Sequence, residues 1–341
     1  MKFDFTYYNP TKIYFGKDTL GNLGTELKSY GDNVLLMYGK GSVKKSGLYD
    51  KVCGILRDCG KNVTELAGIK SNPSYSQLLE GARLVRENNI DLILAVGGGS
   101  VIDCAKGISV SAYCEGDPWQ KYWVDVNPKF SVLNPEYTFT VPKYQMSSGI
   151  FDTMSHLMEQ YFSGDDDNTT DYVLEGVMRS LIHSAEIAEK NPTDYEARSN
   201  IMWCATIGLN TITGLSKTQD WEVHMIEHQL GAYTDCAHGA GLAAISIPYY
   251  RYICKYGIEK FVRFAKNVWG INTDGMSAEQ AAEAGIEKLE EFVKMLGLPL
   301  TLRELGATED MLPKIAESTV KGGGYKQMNA EDILEVLKAC Y

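Results

Sequence analysis

Several features that would point directly to a function are missing from these 341 residues. There is no basic excess; the formal net charge is −11, which argues against nucleic acid or an anionic membrane as a principal partner. No apolar run is long enough to span a bilayer, and nothing after Met1 resembles a signal peptide. The eight cysteines (53, 59, 104, 114, 204, 236, 254, 340) form no C-x-x-C pair and several fall inside apolar patterns, so they read as reduced core residues of a cytoplasmic protein. Internal repeats and low-complexity segments are absent, and the one run of like charge, Asp165-Asp166-Asp167, reads as a solvated loop. Histidine is scarce, with five in all.

Four of those five fall in two short stretches. From Gly149 to Phe162, apolar residues recur at helical spacing (Phe151, Met154, Leu157, Met158, Phe162), so the segment reads as an amphipathic helix with a wide buried stripe. Asp152 and His156, four residues apart, leave one face of it, where one divalent metal ion can take an oxygen and an imidazole nitrogen. Taken alone, the pair is better explained by a capping-type Asp and a core histidine with a hydrogen-bond partner, since such i,i+4 pairs are common on ordinary helices. Seventy residues on, His224 and His228 share a face of a short helix that Gly231 is expected to end, and His238 opens the next helix after a polar turn. Asp152, His156, His224 and His238 together give one oxygen and three nitrogens, a set suited to Zn²⁺ or Fe²⁺ and too nitrogen-rich for Mg²⁺ or Ca²⁺.

The first half alternates helix and strand. Residues 3–15 read as two strands joined by a turn at Asn9-Pro10. Helices follow at 20–30, 48–59, 75–88 and 101–113, with buried strands at 34–38 and 92–96 and a further strand at 63–66. Short apolar strands separated by helices predict an α/β, Rossmann-like domain: a doubly wound parallel sheet with its ligands at the carboxyl ends of the strands. Two strand ends carry glycine loops. Gly97-Gly98-Gly99-Ser100 opens straight into a helix, and three glycines allow a phosphate to approach the backbone amides more closely than a simple tight turn requires. Gly39-Lys40-Gly41-Ser42 follows the other strand; no Asp or Glu closes that strand to receive a ribose 2′-hydroxyl, while Ser42 and Lys40, Lys44 and Lys45 can accommodate a 2′-phosphate. That pattern favours NADP(H) over NAD(H).

From Lys143 onward the pattern is helical only, with helices expected at 143–162, 169–190, 194–213, 220–231, 238–256, 258–268, 278–296 and 331–340. The chain thus divides into a dinucleotide-binding domain, 1–140, and an all-α metal-binding domain, 141–341, with the boundary between Pro118 and Pro135. Gly322-Gly323-Gly324 follows no buried strand and reads as a flexible joint.

Taken together, these motifs resemble the iron-containing alcohol dehydrogenase family, in particular its butanol dehydrogenase and NADPH-dependent aldehyde reductase branch. The matching stretches are Tyr8 to Gly16, Gly39 to Ser42, Asn72-Pro73, Gly97 to Asp103, Asp152 to His156, Asp220 to His238 and Leu300 to Gly306, which span nearly the whole chain. The resemblance implies metal ligation by Asp152, His156, His224 and His238, a role for His228 beside the substrate, and cofactor contacts at Gly39, Ser42, Asn72, Gly98, Gly99, Ser100 and Asp103. It also implies a homodimer. The expected reaction is reversible hydride transfer between NADP(H) and a small uncharged aldehyde, with the metal polarising the carbonyl and His228 in the proton relay. A glycerol dehydrogenase or dehydroquinate synthase-like activity on the same architecture is the enzymatic alternative.

One family segment is missing. A T-G-S-E type stretch along the nicotinamide, with neighbouring strands, has no counterpart between Gly116 and Lys129, so several tens of residues are absent. Either the sequence omits residues of a longer chain, with the join near Asp125-Val126, or a deletion has removed half the nicotinamide pocket. The first is favoured, since a sheet that lost interior strands would expose apolar edges. The second would favour a metal-binding relic without turnover.

Overall fold

The structure, a computed structural model, describes residues 5–121, 126–164 and 169–341. The described residues group into two compact units, one within 10–137 and the other within 138–341 together with residues 5–9. The anticipated join near Asp125-Val126 lies outside the described residues.

The first unit is built on β2 (Asn33–Tyr38), β3 (Asn62–Leu66) and β4 (Leu92–Val96), a parallel sheet in the order β3-β2-β4 with Leu36 opposite Glu65 on one side and Leu94 on the other. Alternate residues of β2 serve opposite faces, as strand geometry requires. Val34, Leu36 and Tyr38 pack with Leu23 and Leu27 of α1 (Asn22–Leu27) and Val52 and Leu56 of α3 (Leu48–Asp58). Leu35 and Met37 pack with Val85 of α4 (Tyr75–Glu87) and with Val101, Cys104 and Ile108 of α5 (Gly99–Ser111). Helices on both faces of a parallel sheet make the doubly wound arrangement. The short α2 (Ser42–Lys45) follows the loop after β2.

Two expectations need correction here. No N-terminal hairpin forms among the described residues: 5–11 have no regular structure, and β1 (Lys12–Phe15) pairs in parallel with β5 (Phe130–Leu133), Lys12 opposite Phe130. A long-range partner thus takes the edge that a hairpin would have used. β4 is not a buried strand. All five residues are half-buried, because among the described residues β4 is hydrogen-bonded on one side only.

The second unit has no strand among its described residues. Its helices are α6 (Lys143–Tyr161), α7 (Thr169–Lys190), α8 (Tyr195–Gly208), α9 (Glu222–Thr234), α10 (His238–Ile253), α11 (Ile258–Asn267), α12 (Ala278–Met295), α13 (Met311–Ser318) and α14 (Ala330–Ala339). α6 carries the predicted apolar stripe, with Phe151, Met154, Leu157 and Met158 fully buried. α13 has no counterpart in the sequence reading; it is short and holds Pro313, which breaks the helical pattern. α9 runs past Gly231 to Thr234, and Asp235, at φ 53°, makes the turn. The glycines at 322–324 are packed: Gly322 N–H donates to Glu222 Oε2 at 2.7 Å, and a Cβ on Gly324 would lie 2.6 Å from the Ser163 backbone. Among the described residues no helix is long and apolar enough to cross a membrane.

Candidate metal centre

Three helices converge on one point. α6 supplies Asp152 and His156, α9 supplies His224, and α10 supplies His238 as its first residue. Asp152 Oδ1 lies 3.6 Å from His156 Nε2, 3.6 Å from His224 Nε2 and 3.5 Å from His238 Nε2. Ligand atoms about 2.1 Å from a tetrahedral metal stand roughly 3.4 Å from one another, so this spacing is that of a coordination shell. The distances are too long for hydrogen bonds. Asp152 Oδ1 and His224 Nε2 are both buried without a hydrogen-bond partner, an arrangement that costs free energy unless a cation sits between them. The donor set therefore fits a divalent metal.

The other imidazole nitrogens are held by carboxylates. His224 Nδ1 bonds Glu159 Oε1, and His238 Nδ1 bonds Glu227 Oε2. Each pairing assigns the Nδ1 proton and turns Nε2 toward Asp152, the carboxylate–histidine–metal arrangement that orients a ligand and raises its basicity. Glu159 is fully buried on α6 and also accepts from Ser155 Oγ (3.2 Å) and Val223 N–H (3.1 Å). Glu227, nearly as buried, fits because Gly241 leaves room for it: a Cβ there would lie 2.7 Å from its side chain. Neither glutamate figured among the sequence candidates. The available signal was spacing, since Glu159 lies three residues after His156 and Glu227 three after His224.

His228 stands beside this shell. It is exposed, its ring stacks on His238 at 5.6 Å between centroids, and it groups with Glu227 and His238 rather than with Asp152. The fifth histidine, His183, is exposed on α7. Trp221, at φ 66° just before α9, sets its indole edge against His156 at 5.9 Å and His224 at 5.4 Å.

Charge is distributed unevenly across the cluster. Burial, only partly offset by Asp152, carries His156 down to about 4. Burial opposes the charge on His224 as well, but the carboxylates of Asp152 and Glu159 prevail and lift it to about 9. His238 is raised because Glu227 overcomes its burial, while burial and the charge of His238 lower His228. Behind the cluster, burial and then the charge of Glu159 push Asp220 up to about 8; its carboxyl is bonded by the Tyr249 hydroxyl at 2.9 and 2.8 Å.

The glycine loops lie in the first unit. Tyr38 and Val96 are paired across β2 and β4, so the loops beginning at Gly39 and Gly97 leave the same end of the sheet side by side. The segment after β3 joins them: Gly68 N–H donates to Gly39 O (3.3 Å) and Ser100 Oγ to Ser71 O (2.8 Å), next to Asn72. Gly98 caps α5 without a side chain, Gly99 and Ser100 form its first turn, and Asp103 is exposed one turn on, 3.8 Å from Lys106. Gly41, at φ 141°, makes the bend into Ser42. The structure adds an acidic residue beside β2. Glu65 of β3 accepts hydrogen bonds from the Tyr38 hydroxyl at 2.5 Å and the Tyr49 hydroxyl at 2.6 Å.

A doubly wound nucleotide-type unit followed by a helical unit that gathers three histidines and one aspartate about one point fits the class of metal-dependent dehydrogenases. The chain belongs to the iron-containing alcohol dehydrogenase family: the profile "Iron-containing alcohol dehydrogenase" matches residues 10–141, and "Fe-containing alcohol dehydrogenase family, C-terminal" matches 146–341. It is an enzyme of that family, an alcohol and aldehyde oxidoreductase. NADH-dependent butanol dehydrogenase A of Clostridium acetobutylicum is 38% identical, covering 99% of this chain and 99% of that protein. NADPH-dependent aldehyde reductase YqhD of Escherichia coli is 31% identical, covering 99% and 98%. The crystal structure of NADH-dependent butanol dehydrogenase A from Thermotoga maritima superposes with a TM-score of 0.94 at 31% identity, over 99% of each chain. The alignment with the Clostridium protein runs over 387 residues, 46 more than this chain's 341, so that relative carries residues with no counterpart here.

Proposed function

We propose that the protein catalyses reversible hydride transfer between NADP(H) and a small uncharged aldehyde or primary alcohol, at a divalent metal held by Asp152, His156, His224 and His238. The observation that carries this reading is the pair of buried, unpartnered atoms, Asp152 Oδ1 and His224 Nε2, within a shell spaced at 3.5–3.6 Å. A metal bound there would act as a Lewis acid on a carbonyl oxygen. Fe²⁺ is the favoured ion, after the family, with Zn²⁺ the alternative that the same donors accept. Glu159 and Glu227 keep the imidazoles oriented. His228, exposed beside the shell with its ring stacked on His238, is the group we assign to proton transfer with the product oxygen. Gly39, Ser42, Asn72, Gly98, Gly99, Ser100 and Asp103 are assigned to the cofactor, since these residues gather at the carboxyl end of the sheet. The absence of an acidic residue at the end of β2 supports NADP(H), although the similar proteins include both NADH- and NADPH-dependent enzymes. The setting assumed is a cytoplasmic homodimer.

The test follows NADPH absorbance with butyraldehyde and added Fe²⁺ or Zn²⁺. Turnover that a chelator abolishes supports the reading, and His228→Ala should then retain the metal and lose rate. Stoichiometric metal binding with consumption of NADH but not NADPH would overturn the NADP(H) part of the reading, and consumption of neither would overturn the aldehyde reduction.

A further inference from the structure

We propose that Lys44 reads the 2′-phosphate of the cofactor's adenosine, and that Tyr38, Tyr49 and Glu65 form the mount that holds it in place; this rests on the nicotinamide-cofactor reading above. β2 ends at Tyr38, the loop Gly39–Gly41 follows, and Lys44 stands three residues beyond it on α2. In a doubly wound sheet, that strand end is where the adenosine ribose of a dinucleotide lies. Three lysines surround the loop, and a lysine on an exposed stem is ordinarily a mobile charge. Lys44 is the exception. Its ammonium lies 4.9 Å from the centre of the Tyr38 ring and 4.5 Å from that of Tyr49, each contact being the cation–π kind.

The two rings are themselves fixed. They meet edge to face, 5.3 Å apart at 67°, and their hydroxyls both donate to Glu65, one to each carboxylate oxygen. The phenols hold Glu65 below the usual carboxylate range, and Tyr38, aided by the charge of Glu65, raises Lys44. The result is one positive charge held over two fixed rings beside the loop after β2, with a carboxylate on the hydroxyls of those rings. Glu65 would otherwise be the obvious receiver for a ribose 2′-hydroxyl, the contact that selects NAD(H). With each oxygen already accepting a phenol, it acts instead as a positioning residue for Lys44.

The experiment measures binding of adenosine 2′,5′-bisphosphate and of 5′-AMP to the full chain by calorimetry. Both probes carry only the adenosine end and so report on this subsite alone. Wild type should prefer the bisphosphate, and Lys44→Met should weaken it by about tenfold while changing 5′-AMP by less than about twofold, the size of one charge-assisted hydrogen bond. Lys44→Arg should restore most of the preference. Glu65→Gln should lower the ratio of the two affinities with the melting temperature unmoved, which a merely structural role would not do. Equal weakening of both probes by Lys44→Met, an unchanged ratio in Glu65→Gln, or selective loss of 5′-AMP in Glu65→Gln would each overturn the inference. Wild type that binds both probes equally refutes the role of Lys44 and the preference for NADP(H), and leaves the nicotinamide-cofactor reading standing; wild type that binds neither refutes both.

Discussion

Glu159 and Glu227 decide which nitrogen of His224 and His238 faces the proposed metal position, and they do so from full or nearly full burial. Removing their charge while keeping their shape should therefore weaken the metal without abolishing it. Glu227→Gln is expected to lower metal affinity by about 10–100-fold, whereas His224→Ala or His238→Ala should eliminate stoichiometric binding and turnover together in a folded protein. Metal titration followed by circular dichroism separates these outcomes; full metal content in either alanine variant would sink the site. The four ligand candidates were legible because histidine is scarce and its spacing is regular. Their glutamate partners were not, because a glutamate on an amphipathic helix reads as solvated, and nothing local reveals that it is buried against another helix. Asp220 supports a pH prediction. Its folded pKa, about 8, lies above the ordinary aspartate value of 3.8, so between these limits the folded state holds a proton that the unfolded chain releases. Stability from this source is highest at acid pH and falls as pH rises toward 8. Asp220→Asn should flatten that decline in thermal unfolding of the metal-free protein from pH 5 to pH 8. Parallel curves for the two proteins would refute it.

At the scale of elements, the shell depends on how closely α10 meets α6. A Cβ on Gly239, next to His238, would lie 1.9 Å from Ser148 O and 2.6 Å from Ser148 C, both backbone atoms that cannot swing aside. Gly239→Ala should push the start of α10 away from α6, carry His238 with it, and cost metal affinity as well as about 1–3 kcal/mol of stability, the range for overpacking. Unchanged metal affinity with a lowered melting temperature would show that the contact serves packing alone. Most helices were readable because their apolar period is strong. Ends were less so: the α9 boundary was assigned to Gly231, but there the absent side chain leaves space beside Glu227, whose Oε1 would sit 3.3 Å from a Cβ. The β1–β5 pairing was invisible for another reason. A parallel partner more than a hundred residues away leaves no mark on local pattern, whereas an Asn-Pro turn suggests a hairpin.

At the scale of the molecule, the alternation of strands and helices and the switch to helices alone were both legible in the sequence; the extent of the sheet was not. Leu92–Val96 reads as an interior strand, all apolar, yet β4 closes the β3-β2-β4 sheet with one side unpaired among the described residues. Natural edges are usually protected by charge, proline or a bulge, and Leu-Ile-Leu-Ala-Val has none of these. The consequence concerns handling and lifetime rather than turnover. An unguarded row of backbone donors and acceptors can template strand addition by another molecule, so soluble protein should be lost by a process of higher than first order in concentration. Light scattering during mild heating, at low and high protein concentration, measures that order. A loss rate per molecule independent of concentration would mean that the edge is covered; a steep dependence would mean that this strand sets how concentrated the enzyme can be kept.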